Sequence, residues 1–279
     1  MSNKYYIIKT LTNNKKIYYY VILENKKREI IIKFGGLKEQ CIRITIDKMI
    51  KIGLVEDLVY KKNCSIFENL NKNKNNMESL LKNALSFCIK YFPEVLIYRI
   101  SDMSYIQCSN SQRISLADLY SVKYNKTWYE KYFNAVPVKE QKNDVEKAKE
   151  LIKEKLNNII DLDINDFINR YYICTRTLNI NKNIDHIKLA YKKGIKVKDY
   201  LLYFFNNNLD CRLYILFFQI IFGYLLYGKY WEISKEVIIQ YDIKSEFYES
   251  SIIDKHIDLE NLHQQLDELN NNPLLSNKI

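Results

Sequence analysis

The spacing of apolar and polar residues changes along the chain, and the N-terminal part has the period of two that is typical of strands. Aromatic and β-branched runs occupy residues 5–8, 17–23 and 29–34, and isoleucines alternate with polar residues over 42–46. Polar turn signals, such as Thr-Asn-Asn-Lys at 12–15, separate these runs. We therefore predict an antiparallel meander at the start of the chain.

The period lengthens to 3.6 after this sheet, which indicates helices. The apolar positions of the first predicted helix are Met77, Leu80, Leu81, Ala84, Leu85 and Cys88. Pro93 ends this helix, because the residue before a proline avoids the helical conformation. Residues 95–100 then have the apolar content of a strand, and residues 115–125 form a second predicted helix. The apolar face of that helix consists of Leu116, Leu119 and Val122.

The composition changes again at residues 138–144, and the chain beyond this point has a helical pattern. One amphipathic stripe consists of Val145, Ala148, Leu151, Ile152, Leu156 and Ile159. Residues 164–178 and 184–193 are two further predicted helices. The most apolar run, residues 213–227, is shorter than the roughly 20 residues of a membrane-spanning helix. We therefore predict a helix buried in a bundle, with peripheral membrane attachment as the alternative, and we do not expect integral insertion.

Together these elements predict an α+β protein with two domains. Residues 1–140 form a mixed antiparallel sheet with helices, residues 145–270 an all-helical domain, and residues 271–279 a frayed tail. Leucines near the end of the helical domain follow alternating spacings of three and four, which is typical of a seam that packs on one helix. This seam consists of Leu259, Leu262, Leu266 and Leu269. We expect it to dock on its own bundle or on a protein partner.

The formal net charge of +10 predicts a basic surface, which attracts nucleic acid, anionic lipid or an acidic partner. The lysines are scattered in pairs and do not form a long block of like charge. A solvated basic surface is therefore the alternative to nucleic-acid binding. Gly (6) and Pro (3) are scarce while Tyr (24), Asn, Ile and Lys are abundant, as in proteins from A/T-rich genomes. Composition alone consequently says little about function.

The six cysteines show no metal-site pattern. None lies in a CxxC pair or at metal-ligand spacing from a histidine, which argues against a zinc site. We therefore expect reduced and mostly buried cysteines of an intracellular protein. The N-terminal sequence MSNKYYIIKT lacks the apolar core of a secretory signal. These features predict a cytoplasmic protein that is not secreted.

A loop of asparagines and lysines opens directly onto the first predicted helix. A helix N-terminus binds phosphate when the preceding loop lets backbone N–H groups approach the anion. Glycine usually permits that approach, and asparagine is the next most tolerant residue of left-handed conformations. The candidate cofactor-binding residues are Lys72, Asn73, Lys74, Asn75 and Asn76. The alternative is an ordinary surface loop with an asparagine N-cap.

Residues 127–133, with the sequence Thr-Trp-Tyr-Glu-Lys-Tyr-Phe, follow a sheet, a loop with a helix, a strand and a second helix. This order and this cluster resemble the GNAT superfamily of acyl-CoA-dependent N-acyltransferases, whose closing motif is aromatic-Tyr-Glu-Lys-x-Gly-Phe. The resemblance covers about residues 1–140. It implies acetyl-CoA or another acyl-CoA as cofactor, and it implies Tyr129 as the acid that protonates the departing thiolate.

The chain also departs from that family. Phe133 and Asn134 stand where the motif has Gly-Phe, and asparagine and lysine replace the glycine-rich loop. Residues 114–135 look like a family of uncharacterised proteins from large cytoplasmic DNA viruses, which implies the host cytoplasm or the virion. We therefore predict a degenerate GNAT-like domain that serves as a protein or nucleic-acid interaction module. The alternative function is that of an active N-acyltransferase. The structural alternative for residues 127–133 is a helix end whose aromatic side chains pack in the core.

Other enzyme classes have little support in the sequence. Asp102 is a candidate base and Cys108 a candidate nucleophile, but the histidines all lie in the C-terminal half. The sequence names no carboxylate on the predicted sheet as the base of an acyltransferase, although Glu39 and Asp47 are present there. Walker, HExxH, GxSxG and kinase motifs do not occur.

Overall fold

A computed structural model gives the conformation of most of the chain. It describes residues 3–12, 15–37, 39–58, 64–65, 76–102, 105–107, 113–161, 163, 165–169, 195–206, 211–223, 225–226, 228–241, 243 and 245–249. The chain divides into two compact units. One consists of Met1–Ile100 with Glu232–Ile279, and the other of Ser101–Trp231. The predicted boundary near residues 140–145 stays a prediction, and it lies inside the second unit.

The described residues form a mixed α/β structure. The strands are β1 (Asn3–Thr12), β2 (Lys15–Asn25), β3 (Glu29–Gly35), β4 (Gln40–Asp47), β5 (Ile52–Leu58), β6 (Ile97–Ser101), β7 (Tyr105–Gln107), β8 (Arg113–Ser115), β9 (Val136–Pro137), β10 (Tyr230–Ser234) and β11 (Ser245–Glu249). The helices are α1 (Asn76–Tyr91), α2 (Leu116–Tyr124), α3 (Trp128–Phe133), α4 (Lys142–Asn157), α5 (Val197–Asn206), α6 (Cys211–Phe222) and α7 (Lys235–Ile239).

The first unit contains a large sheet with the strand order β11-β1-β2-β3-β4-β5-β6, followed by the part of β10 that begins at Glu232. Strands β1 to β5 pair antiparallel in sequence order, which confirms the predicted meander. β5 was not among the predicted strands. It continues the meander and then pairs parallel with β6, which follows α1 in the chain. A parallel pair requires a crossover, and α1 lies within this crossover.

Helix α1 supplies apolar side chains to the core of the first unit. Its buried positions include the predicted apolar face, apart from Met77, which is half-buried. The helix meets β1 through aromatic rings, because the Tyr6 ring lies 5.2 Å from Phe87 and 4.9 Å from Tyr91, between centroids. Asn83 is buried in α1, where its amide donates to the Ser79 carbonyl and accepts from the Ser245 hydroxyl. The buried polar group is therefore satisfied, as a buried amide must be.

A disulfide bond joins Cys41 and Cys64, with their Cα atoms 5.7 Å apart. Cys41 lies on β4 and is 1% exposed, while Cys64 is 7% exposed. The expectation that the cysteines are reduced is therefore wrong for this pair. Pairing depends on the distance between Cβ atoms in the fold, and a sequence separation of 23 residues does not reveal it. Cys88 is a buried thiol on α1, as predicted.

Gly53 makes room for an aromatic ring on the sheet. A Cβ atom at this position would lie 2.3 Å from Cδ1 of Tyr98, its parallel partner on β6. Tyr98 is fully buried, so its ring has little space to move away. We expect Gly53→Ala to lower the free energy of unfolding by about 2 to 3 kcal/mol, as overpacking of a core does.

Urea unfolding followed by circular dichroism measures this loss. The matched control is a double-mutant cycle with Tyr98→Leu, whose side chain has no ring over Gly53. Gly53→Ala should cost clearly less in that background, because the clash is removed. An equal cost in both backgrounds would mean that the ring is not the reason for the glycine.

The second unit contains α2 to α6 and the small strands β7 to β9. The predicted stripe on α4 is partly confirmed, since Val145, Ala148, Ile152 and Leu156 are buried. Ile159 is 61% exposed, because α4 ends at Asn157 and the helical spacing no longer applies beyond it. Helix α6 packs beside α5, with the Tyr200 and Phe217 ring centroids 4.7 Å apart. Phe167 also lies against Phe217, edge to face.

The interpretation of all residues beyond 144 as helical is not confirmed. β10 and β11 are strands, and β10 alternates buried Trp231 and Ile233 with more exposed neighbours. This period of two is present in the sequence Tyr-Trp-Glu-Ile-Ser. The apolar run predicted as a buried helix corresponds to α6, which ends before Gly223, a residue with a φ of +73°. Among the described residues, helices lack the length and apolar content to cross a bilayer.

Candidate nucleic-acid interface

Helix α2 is fixed at both ends by its own sequence. The Ser115 hydroxyl accepts a hydrogen bond from the Asp118 backbone N–H, 3.3 Å away, and so caps the N-terminus. Asn125 adopts the left-handed conformation after the last turn, and its N–H donates to the Ser121 carbonyl. Asparagine is the residue that tolerates this conformation best after glycine. The predicted helix over 115–125 is therefore confirmed, and its bounds follow from these two caps.

Helix α3 begins with a capping box. The Thr127 hydroxyl accepts from the Glu130 N–H at 3.4 Å, and the Glu130 carboxylate accepts from the Thr127 N–H at 2.8 Å. The second carboxylate oxygen of Glu130 accepts from the Lys149 ammonium on α4. The glutamate of the Trp-Tyr-Glu-Lys sequence thus starts the helix and ties it to α4.

The inner face of α3 is aromatic and buried. Trp128, Tyr129 and Phe133 are 8%, 1% and 0% exposed. The Trp128 ring centroid lies 5.0 Å from those of both Tyr129 and Phe133. This packing is the structural alternative that we gave for residues 127–133. The catalytic role of Tyr129 stays a prediction, and its side chain lies in the core of the second unit.

The outer faces of α2 and α3 carry a tyrosine–lysine cluster, which consists of Tyr120, Lys123, Tyr124, Lys131 and Tyr132. Tyr120 and Tyr124 lie one turn apart on α2, with ring centroids 5.1 Å apart. Tyr132 from α3 meets the Tyr120 ring edge to face at 5.9 Å. The Lys131 ammonium lies 3.2 Å from the Tyr124 ring centroid and 5.1 Å from that of Tyr132. Tyr124 is 40% exposed, so the cluster presents an aromatic ring to solvent.

The tyrosine–lysine cluster is electropositive. The slight burial of Tyr124 acts to raise the pKa of its phenol, but Lys131 and Lys123 together outweigh this and lower the pKa. Lys131 acts by hydrogen bonding and charge, and Lys123 contributes in the same two ways. Lys126, in the turn between the helices, is exposed as well. Aromatic rings next to ammonium groups form a surface on which nucleobases can stack while lysines neutralise phosphates.

A second group of polar residues lies in the interior of the same unit. Burial raises the pKa of Asp118 to about 7, hydrogen bonding with Ser115 opposes the rise, the nearby Asp102 adds to it, and the Leu226 backbone opposes it. Among the described residues, Asp118 Oδ1 and the Tyr214 hydroxyl have no hydrogen-bond partner. Burial, and then the charge of Asp118, raises the pKa of Tyr214. Asp102, a predicted base, is itself fully buried. Because Asp102, Asp118 and Tyr214 are buried in the core, their ionisation changes the free energy of unfolding.

Several predicted site residues are not described by the structure. Asn76 is the first residue of α1, but residues 72–75 lie outside the described residues. The same holds for Cys108 and for the leucine seam at residues 259–269. Asp47, a predicted strand carboxylate, accepts hydrogen bonds from the backbone of the turn that follows β4.

The tyrosine–lysine cluster was not predicted from the sequence, although a signal for it existed. Leu116, Leu119 and Val122 were identified as the apolar face of the predicted helix over residues 115–125. The opposite face therefore had to be exposed, and it carries two tyrosines four residues apart with a lysine between them.

No protein-family model, curated protein or solved structure matches this chain. The resemblance to the GNAT superfamily therefore stays a prediction from the residues that carry it. The function has to be argued from the surfaces and contacts of this structure.

Proposed function

We propose that the protein is an interaction module that binds single-stranded nucleic acid through the tyrosine–lysine cluster on α2 and α3. The observation that carries this proposal is the exposed Tyr124 ring beside two lysine ammonium groups. Stacking on an aromatic ring does not depend on sequence, since every base has a π-face. Lysines next to the ring contribute through phosphate contacts and counterion release.

The charge of the whole chain supports the same proposal. With a net charge of +10, the long-range field attracts a polyanion before it reaches the cluster. The caps of α2 and the capping box of α3 hold the two helices in defined positions. The cluster is therefore preorganised, which lowers the entropy cost of binding.

We expect Tyr124→Ala to weaken binding of a single-stranded oligonucleotide about tenfold or more, because stacking contributes about 1 to 3 kcal/mol per base. Fluorescence anisotropy with a labelled pyrimidine oligonucleotide measures the affinity. Tyr124→Phe should bind like the natural protein, since the ring is kept. Lys131→Gln should lower both the affinity and its dependence on salt.

The matched control for Tyr124→Ala is Tyr230→Ala. Tyr230 is 46% exposed, lies in the same unit and does not belong to the cluster. It should have no effect on affinity. If both alanine variants bind equally, or if affinity does not change with salt, nucleic-acid binding at this cluster is wrong.

A specific observation favours acyl-CoA binding as the second candidate. The described elements follow the order antiparallel strands, α1, β6, then α2, which is also the order of elements that the GNAT resemblance implies. Calorimetry with acetyl-CoA and CoA tests this candidate. Micromolar binding that is lost when residues 72–76 are replaced supports it, as does a loss of turnover in a folded Tyr129→Phe protein. If millimolar CoA gives no heat, the candidate is wrong.

The protein-partner and cytoplasmic expectations remain part of this proposal. Leu259, Leu262, Leu266 and Leu269 are the residues expected to contact a protein partner. Cytoplasmic location is tested by fractionation of cells that express the protein. Recovery in the cytosolic fraction would support it, and recovery inside a membrane-enclosed compartment would contradict it. The Cys41–Cys64 bond is the observation that speaks against it, since the cytosol keeps most thiols reduced.

A further inference from the structure

Two adjacent turns form one end of the sheet in the first unit. The first turn, residues 25–29, joins β2 to β3, and the second, residues 47–51, joins β4 to β5. Glu29 and Asp47 pair across β3 and β4, so the turns are neighbours. The Lys48 N–H donates to the Arg28 carbonyl at 3.1 Å, and other hydrogen bonds of Lys48 reach the first turn as well. We call these two turns together the double-turn tip.

The double-turn tip exposes two large aliphatic side chains. Met49 is 82% exposed and Ile50 is 63% exposed. Their backbone N–H groups both donate to the Asp47 carboxylate, at 2.7 and 3.1 Å, and the Lys51 N–H donates to the Asp47 carbonyl. The backbone donors of the turn therefore have internal partners while the side chains face solvent. Such a turn can move from water into an apolar environment without carrying unsatisfied N–H groups with it.

The rim of the tip is cationic. Its basic residues are Lys26, Lys27, Arg28, Lys48 and Lys51, and its acidic residues are Glu29 and Asp47. Glu29 pairs with Lys26 at 3.0 Å, and Asp47 accepts the backbone hydrogen bonds of its own turn. Both carboxylates are therefore engaged inside the tip. The exposed positions at 26–28 and 51 leave an excess of positive charge around the two aliphatic side chains.

We propose that the double-turn tip is a peripheral membrane-docking surface for anionic bilayers. Met49 and Ile50 enter the boundary between headgroups and acyl chains, and the surrounding lysines and arginine bind the anionic headgroups. The alternative of nucleic-acid binding explains the charge but not the side chains. The two turns contain no aromatic residue that could stack on a base, and aliphatic side chains gain nothing from phosphates.

Flotation with lipid vesicles tests the proposal on the full chain. Vesicles of phosphatidylcholine mixed with phosphatidylserine should bind the protein, and vesicles of phosphatidylcholine alone should bind it much less. We expect the double variant Met49→Ser, Ile50→Ser to lower the partition coefficient about tenfold or more. Lys27→Gln should lower it about fivefold and reduce its sensitivity to salt. In a Met49→Trp variant, the tryptophan emission should shift to shorter wavelength on binding.

The matched control is Leu96→Ser, Ile239→Ser. Leu96 and Ile239 are 56% and 63% exposed and lie in the same unit, outside the tip. This control should bind vesicles like the natural protein. Equal loss in both double variants, or binding that does not depend on phosphatidylserine, would overturn the proposal. So would an outcome in which Lys27→Gln weakens oligonucleotide binding while no vesicle binds. Failure of the tyrosine–lysine cluster to bind nucleic acid leaves this test unaffected, since the cluster belongs to the other unit.

Discussion

The free energy of unfolding of the second unit is expected to fall by about 3 kcal/mol between about pH 5 and pH 8 because of Asp118 alone. In Asp118→Asn this part of the pH dependence should disappear. The reason is the interior position of the carboxyl, which is 6% exposed. Burial raises the pKa of Asp118 to about 7, the Ser115 hydroxyl opposes this, the neighbouring Asp102 adds to it, and the Leu226 backbone opposes it.

The sign follows from the two pKa values. An unfolded aspartate has a pKa of about 3.9, whereas the folded Asp118 has a pKa of about 7. Between these values the folded protein binds more protons than the unfolded chain. The contribution of Asp118 to the free energy of unfolding is therefore complete below about pH 4. This contribution is lost as the pH rises from about 4 through 7.

Tryptophan fluorescence reports this unit selectively. The chain has two tryptophans, Trp128 and Trp231, and both are buried in the second unit. Urea unfolding at several pH values, followed by their emission, gives the difference between the natural protein and Asp118→Asn. The control is Asp161→Asn at an exposed position of the same unit, which should not alter the pH dependence. If the Asp118→Asn and natural proteins show parallel pH profiles, the carboxyl is already ionised at pH 5.

The importance of Asp118 was not visible in the sequence. Ser115 and Asp118 stand three residues apart at the start of a predicted helix, which is the usual place for a solvent-exposed acid near the helix dipole. The carboxyl is buried because elements from much further along the chain, around Tyr214 and Leu226, pack next to it. Local pattern predicts the helix and its cap, but it contains no information about the chain that covers them.

The same distinction applies to the sheet. The alternation at residues 42–46 and the aromatic runs before it were sufficient to predict four strands of the meander. β5 contains Gly53, and glycine is depleted in strands, so the local sequence does not indicate a strand there. The glycine is needed because the Tyr98 ring, on a strand 45 residues later in the chain, lies against it. The tyrosine–lysine cluster could be predicted from the sequence only in part. Helix α2 was predicted locally, and α3 was foreseen only as the alternative of a packed helix end. The contact of Tyr132 with Tyr120 required the turn at Asn125 to bring the two helices together.

Reduction of the Cys41–Cys64 disulfide is expected to lower the free energy of unfolding of the first unit by about 3 kcal/mol. The bond closes a loop between residues 23 apart and so restricts the unfolded chain. Loop-closure entropy for a loop of this length accounts for this magnitude. Cys41 is buried at the centre of the sheet, on β4, so the native strand pairing is expected to persist without the bond.

Hydrogen exchange of the β3 and β4 amides with and without a thiol reductant measures this effect where it arises. The matched control is the double variant Cys41→Ala, Cys64→Ala, which should exchange faster than the oxidised natural protein and show no response to reductant. Tryptophan emission should change little on reduction, because both tryptophans lie in the other unit. If reductant leaves exchange in β4 unchanged, the bond does not restrict the unfolded chain. The stability of the meander would then come from the packing of α1 on the sheet and from the strand ladders, which reduction leaves in place.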